Sequence, residues 1–160
     1  MSTPLPRDSK QHADDPGSRR QSLSGLRLQK HADYQTAYAA SRKRQSASMS
    51  WFLAPQAQPA RQPRVGLTCG KVLGKAHERN RIKRRMREVL RRHVELLPTG
   101  FDLILHPRHS VMTLEFTKLD AEVVRILLQA KAEGMRMMNS NSAETSAPKV
   151  SNAAATLRVS

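Results

Sequence analysis

The stretch Lys71–His93, KVLGKAHERNRIKRRMREVLRRH, decides how the rest of the chain is read. Between Lys75 and His93 stand nine basic residues and two acidic ones, Glu78 and Glu88, which places +7 of the chain's +15 in nineteen residues. At about 100° per residue, Ile82, Met86, Val89, Leu90, His93 and Val94 fall on one side, the stripe of a helix packed on a core. Asn80, Arg81, Arg84, Arg85, Arg87, Arg91 and Arg92 fall on the other. Arg79 and Lys83 lie within the apolar sector, where long stems can run along a core edge. A merely solvated helix alternates Glu with Lys at i,i+4, because such pairs stabilise it and like charges cost as much. This face is almost uncompensated. Arginine outnumbers lysine on it seven to two, and the planar guanidinium fork suits phosphate. The stretch is expected to be a helix with one buried face and one face for a phosphate backbone.

The composition sets the frame around it. A chain of 160 residues with 38% hydrophobic content can bury one core of ordinary size. Its strong positive charge makes a polyanion the expected partner, and nucleic acid is the commonest large one. One cysteine, Cys69, leaves no disulfide framework or cysteine-based zinc site. No apolar run is long enough for a membrane span or a signal segment. A soluble, cytoplasmic protein is expected, with no small-molecule substrate.

Residues 1–25 and 139–160 are rich in polar residues and poor in apolar ones, and are expected to be disordered tails. The folded domain is then 26–138. Within it, residues 32–42 read as a helix with Asp33 in the first turn, where the dipole favours a carboxylate. Tyr34 and Tyr38, four apart, share a face of that helix. Residues 42–46 read as a short edge strand and 50–54 (SWFLA) as a strand. The proline- and glutamine-rich 54–63 reads as a loop. Residues 64–69 alternate, with Val65, Leu67 and Cys69 to one side and Arg64, Gly66 and Thr68 to the other. Residues 101–105 (FDLIL) read as a buried strand. A last helix is expected to be capped by Thr117, to bury Leu119, Val123, Ile126, Leu127 and Ala130, and to stop at Gly134. The expected fold is a single α+β domain with a mixed sheet and the order αβββαβα.

With motif and setting in view, the sequence resembles the protein subunit of bacterial ribonuclease P. The resemblance rests on a strand, a lysine-glycine loop and a helix beginning Arg79-Asn80-Arg81, followed by Ile82, Lys83, Arg84 and Arg87. It extends to LQKHADYQTAY (28–38), RVGLT (64–68) and LPTGFDLIL (97–105). It implies a protein that assists a catalytic RNA in removing the 5′ leader of precursor tRNA. It also implies a left-handed strand-helix-strand crossover, against the usual right-handed rule.

By that resemblance, Arg79, Asn80, Arg81, Lys83, Arg84, Arg85, Arg87 and Arg91 contact the catalytic RNA. Tyr34 and Tyr38, with Trp51 or Phe52 and Lys71, line a cleft for the single-stranded leader, where rings stack on bases and cations follow phosphates. Val72 stands where the family usually has a second lysine. The resemblance implies magnesium in the holoenzyme, held mainly by RNA, and no cofactor or catalytic residue on the protein itself. The partners are then the catalytic RNA and precursor tRNA, with no membrane.

Other signals lead nowhere. GKVLGK (70–75) has three residues between its glycines where a P-loop needs four, and Ala76 replaces the magnesium-binding hydroxyl. His106 and His109, with Pro107 between them, read as loop residues, and Asp102 as a turn or strand-end residue. Cys69 reads as a small core residue. Two rivals remain: a structural or ribosomal RNA-binding protein without a part in cleavage, and an amphipathic helix for a membrane surface or a partner groove. The second would normally carry aromatic anchors on its apolar face, and this face has none.

Overall fold

The computed structural model describes residues 22–58 and 62–146. Helix α1 (His31–Ala39) leads to a short strand β1 (Arg44–Gln45), then β2 (Met49–Pro55) and β3 (Arg64–Leu67). Helix α2 (Ala76–Arg92), strand β4 (Phe101–Pro107) and the long helix α3 (Phe116–Ser146) follow. The order is the expected αβββαβα. The four strands form one mixed sheet in the order β1-β2-β4-β3, antiparallel except for the parallel pair β3 and β4 that α2 connects.

Strand alternation divides the side chains between two layers. Met49, Trp51 and Leu53 of β2, Val65 of β3, and Phe101, Leu103 and Leu105 of β4 face α2 and α3 in the main core. From α2, Ile82, Met86, Val89 and Leu90 enter that core; from α3, Leu119, Val123, Ile126, Leu127 and Ala130 do so. The opposite face is smaller. There Leu28, Ala37, Ala54 and Ile104 are buried under α1, with Tyr34, Tyr38 and Phe52 packed around them.

Several local expectations are corrected. Glu115, not Thr117, precedes the first residue of α3, and the Thr117 hydroxyl sits inside the first turn, donating to Glu115 Oε1 at 2.7 Å. Gly134 does not stop the helix, which continues past Asn139 to Ser146. Its small size is needed for packing: a Cβ there would lie 2.8 Å from the Phe101 ring. At the other end, Leu23 and Leu26 pack against the core, and Arg27 bridges to Val65 so that the chain before α1 extends the sheet past β3. Order therefore begins earlier and ends later than 26–138. The remainder of both expected tails, residues 1–21 and 147–160, lies outside the described residues. Among the described residues no helix is long and apolar enough to cross a membrane.

A buried polar network ties α1 to the sheet. Arg64 donates through Nε and Nη2 to the two oxygens of Asp102, at 2.8 and 2.7 Å, and reaches Asp33 of α1 at 3.3 Å. Gln56 donates to Asp102 and to the Phe101 carbonyl. The side-chain hydrogen bonding to Asp102, together with both carboxylate charges, outweighs burial and raises the Arg64 pKa further above its ordinary value. Asp102 is thus a buried structural anion at the start of β4, engaged on both oxygens.

Candidate nucleic-acid interface

Helix α2 is presented by a tight loop. Gly74 adopts a φ of +110°, a conformation L side chains avoid, and a Cβ there would strike the Glu78 carboxylate. That carboxylate accepts the Lys75 N–H at 2.6 Å, the reciprocal half of a capping box. This bond, made in the first turn, holds the Glu78 pKa below its ordinary value. The loop fixes where the helix begins, and so the direction in which each arginine points.

The basic side chains of α2 fall into three groups. Asn80, Arg81, Arg84 and Arg87 are exposed on the outer side, and none of these three arginines has a carboxylate partner within the described residues. Arg79 and Lys83 are half-buried, as their place in the apolar sector requires; Arg79 Nε is buried without a hydrogen-bond partner. Arg85 and Arg91 are committed within the protein. Arg85 Nη1 donates to the carbonyls of Val111 and Met112 at 2.6 and 2.7 Å, and Nη2 to that of Leu114. This corrects the expectation that Arg85 faces RNA: it clamps α2 to the turn after β4. Arg91 pairs with Glu88, as does Arg92, which also lies over the Phe116 ring at 4.7 Å.

The face under α1 supplies the aromatic half. Tyr34 and Tyr38 lie with ring centroids 6.4 Å apart, and Tyr38 meets Phe52 edge-on at 5.0 Å. Gly66 of β3 makes room for Tyr34: a Cβ there would come within 2.7 Å of its ring. Tyr34 donates to the Leu28 carbonyl at 3.3 Å, and burial raises the pKa of its hydroxyl. Trp51 is not part of this face. Its neighbour Phe52 points to α1, so alternation turns Trp51 into the main core, where it is 2% exposed and stacked under the Arg44 guanidinium. The expectation for Trp51 is therefore overturned, and the one for Phe52 is placed beside both tyrosines. Lys71 is exposed in the turn Lys71–Leu73, and Val72 beside it is fully exposed.

The two halves meet. A small concavity of about 90 Å³ is lined by Arg27, Leu28, Tyr34, Val65, Leu67, Lys83, Arg87 and Leu90 among others, so one ring, that of Tyr34, and three cations border the same hollow. A second and wider one, about 540 Å³, continues from Arg27 and Arg87 to Arg84 and Arg91. Beside them burial raises the Cys69 pKa, against the charges of Lys83, Arg87 and Arg79; Cys69 packs partly buried on the core.

Residues the sequence reading missed belong here. Arg27 has no role in the sequence reading, and His106 reads there as a loop residue. His106 lies instead in β4, since the pairing of β2 with β4 runs as far as Met49 opposite Pro107. Alternation from Ile104 would have placed it on the α1 side.

An arginine-faced helix joined through a shared cleft to an aromatic sheet face, on a mixed four-stranded sheet, defines an α+β nucleic-acid-binding domain. Residues 24–131 match the family model for ribonuclease P, and the chain belongs to that family. The ribonuclease P protein component of Chloroflexus aggregans is 35% identical over 105 residues, covering 65% of this chain and 76% of that one. That of Thermobifida fusca is 33% identical over 104 residues, covering 61% and 70%. Solved structures share the fold: the RNase P protein of Staphylococcus aureus matches with a TM-score of 0.57 at 24% identity, over 66% of this chain and 95% of that one. The protein from Thermotoga maritima gives 0.57 at 23%, over 64% and 96%. The chain's part is that of the protein subunit serving tRNA 5′ processing.

Proposed function

We propose that the face under α1 takes the single-stranded 5′ leader of precursor tRNA, that the outer side of α2 takes the catalytic RNA, and that bond cleavage is centred in that RNA, in the cytoplasm. The observation that supports this most is that Tyr34 borders the same hollow as Arg27, Lys83 and Arg87, so a strand lying on the α1 face has cations beside a ring. Stacking on aromatic faces and a basic track bind a single strand with little sequence preference, as a subunit serving many tRNAs needs.

On this reading the protein positions RNA and neutralises phosphate. Its buried acids are engaged within the fold: Asp102 with Arg64, and Glu122 with Ser46 and Ser48. Magnesium favours several oxygen ligands on one centre. The described side chains assemble no group of three or more His, Cys, Asp or Glu suited to a metal ion. This reading assigns the ions of the holoenzyme to RNA oxygens, and no step is routed through them on the protein.

The test is cleavage of precursor tRNA by a cognate catalytic RNA at limiting magnesium, with and without the protein. Stimulation giving a correct 5′ end is expected, with loss on combining Arg81→Ala and Arg84→Ala. Tyr34→Ala with Tyr38→Ala should abolish the preference for leader-bearing over leaderless tRNA. Tight RNA binding without stimulation would favour a structural RNA-binding role instead.

A further inference from the structure

The sheet face under α1 carries a titratable ring that neither the basic helix nor the tyrosine pair accounts for. His106 is half-buried, with its ring centroid 5.2 Å from Phe52 and 5.6 Å from Tyr38. Its Nε2 lies 2.7 Å from the Tyr38 hydroxyl, which is itself 3.3 Å from the Thr68 hydroxyl. Nδ1 makes no hydrogen bond within the described residues and is not among the buried unpaired atoms, so it is open to solvent.

We propose that His106 is a leader-contacting residue: its Nδ1 donates to a backbone phosphate of a nucleotide resting on Tyr38 and Phe52, and leader affinity rises as the imidazole gains its second proton. The inference rests on the leader-cleft reading above and adds the residue and the proton linkage to it.

The hydrogen-bond chain permits both protonation states without rearrangement. In the imidazolium both nitrogens donate; Nε2 then gives to the Tyr38 oxygen, and the tyrosine hydrogen turns to Thr68. In the neutral ring, Tyr38 can donate to Nε2 and leave the hydrogen on Nδ1. The orientation of the ring is therefore fixed while its charge can change. Around it, α1 presents the Tyr38 hydroxyl, β2 presents Phe52 and Ser50, Thr68 lies beyond β3, and the segment after α1 presents the Lys43 ammonium. None of these groups is a carboxylate. Burial, followed by the Lys43 charge, lowers the His106 pKa, which disfavours the imidazolium in the free protein. A phosphate laid against Nδ1 supplies the missing negative charge, and protonation and leader binding each favour the other.

The experiment uses the reconstituted holoenzyme under non-cleaving conditions. Precursor tRNA with an all-uridine leader, whose bases do not titrate in this range, is compared with leaderless tRNA. The leader-dependent gain in affinity should grow about fivefold between about pH 7.5 and 5.5, the step from a neutral to a charge-assisted hydrogen bond. His106→Gln should lose the slope. A slope that persists in His106→Gln overturns the inference. So does a flat profile in the unsubstituted protein when the leader gain itself is present. A leader gain missing at every pH overturns the cleft reading, and this inference with it. Should His106→Gln fail to fold, the ring resonances of His106 in the unsubstituted protein, titrated with and without a uridine oligomer, answer the same question: an upward pKa displacement supports the contact, and an unmoved titration overturns it.

Discussion

Gly66 shows how much of the site rests on a side chain that is not there. Its Cα supports the Tyr34 ring so closely that any Cβ would stand 2.7 Å from it. Gly66→Ala should therefore move the ring rather than break the sheet. Overpacking a fixed core costs about 1–3 kcal/mol, and a ring edge free to swing toward the cleft should keep the loss near the lower figure. Leader affinity should fall while affinity for the catalytic RNA holds; chemical denaturation and two binding assays on one variant would show it. Equal losses in both assays would mean that the substitution had damaged the fold. Neighbouring arginines divide in the same way. Arg85→Ala removes a guanidinium bonded to three carbonyls and should cost about 1.5–3 kcal/mol of stability, the range for hydrogen bonds to a charged group. Arg84→Ala, exposed one residue earlier, should change stability by less than about 0.5 kcal/mol and weaken RNA binding instead. If Arg85→Ala were as stable as Arg84→Ala, the clamp on the turn after β4 would carry no weight.

On the proposed reading, helix α2 is the element at which charge becomes affinity. If its exposed arginines, with Lys83, neutralise phosphates, RNA affinity should fall by orders of magnitude between about 50 and 200 mM salt. Each substitution among Arg81, Arg84 and Arg87 should then reduce the logarithmic slope by about one unit, and Arg85→Ala should leave it unchanged. A salt titration of these four variants measures this directly. The same helix shows what the sequence could and could not disclose. Its buried stripe of Ile82, Met86, Val89 and Leu90 was legible because helix periodicity is a local property, and so was the alternation that sends Val65, Leu67 and Cys69 into the core. Arg84 and Arg85 looked alike because what separates them is a set of carbonyls 26 to 29 residues away. Gly134 looked like a helix stop because glycine usually is one, whereas here the constraint is the Phe101 ring, distant in sequence. Trp51 and Phe52 could have been told apart: adjacent strand residues face opposite ways, and only one of them can share a face with the tyrosines. His106 was hidden by Pro107, which reads as a strand breaker yet is accommodated as the last residue of β4.

Across the whole molecule, the two faces of the sheet are linked to acid in different places but with the same sign. On the main-core side, Glu122 of α3 is 8% exposed and accepts from the Ser48 N–H at 2.8 Å, the Ser46 hydroxyl at 2.5 Å and the Ser48 hydroxyl, tying α3 to the β1–β2 turn. Burial pushes its carboxyl up, but those bonds and the charge of Arg125 together hold it below the ordinary value. A carboxylate with a depressed folded pKa contributes stability that is complete above its unfolded value, about 4.3, and is lost as pH falls through the folded one. On the cleft side, His106 also has a depressed folded pKa. The unfolded chain takes up that proton first, so stability begins to decline below about pH 6.5. Acid unfolding of the free protein should therefore proceed in two windows, a shallow one beginning near 6.5 and a steeper one below about 4.3. His106→Gln should flatten the first and leave the second. Glu122→Gln should lower stability at neutral pH by about 1.5–3 kcal/mol, the range for a charged hydrogen-bond acceptor, and reduce the second. Denaturant midpoints recorded across the acid range for the three proteins would decide it. A first window unaffected by His106→Gln would mean that another group carries it, and would separate the stability of this face from any proton taken up with the leader.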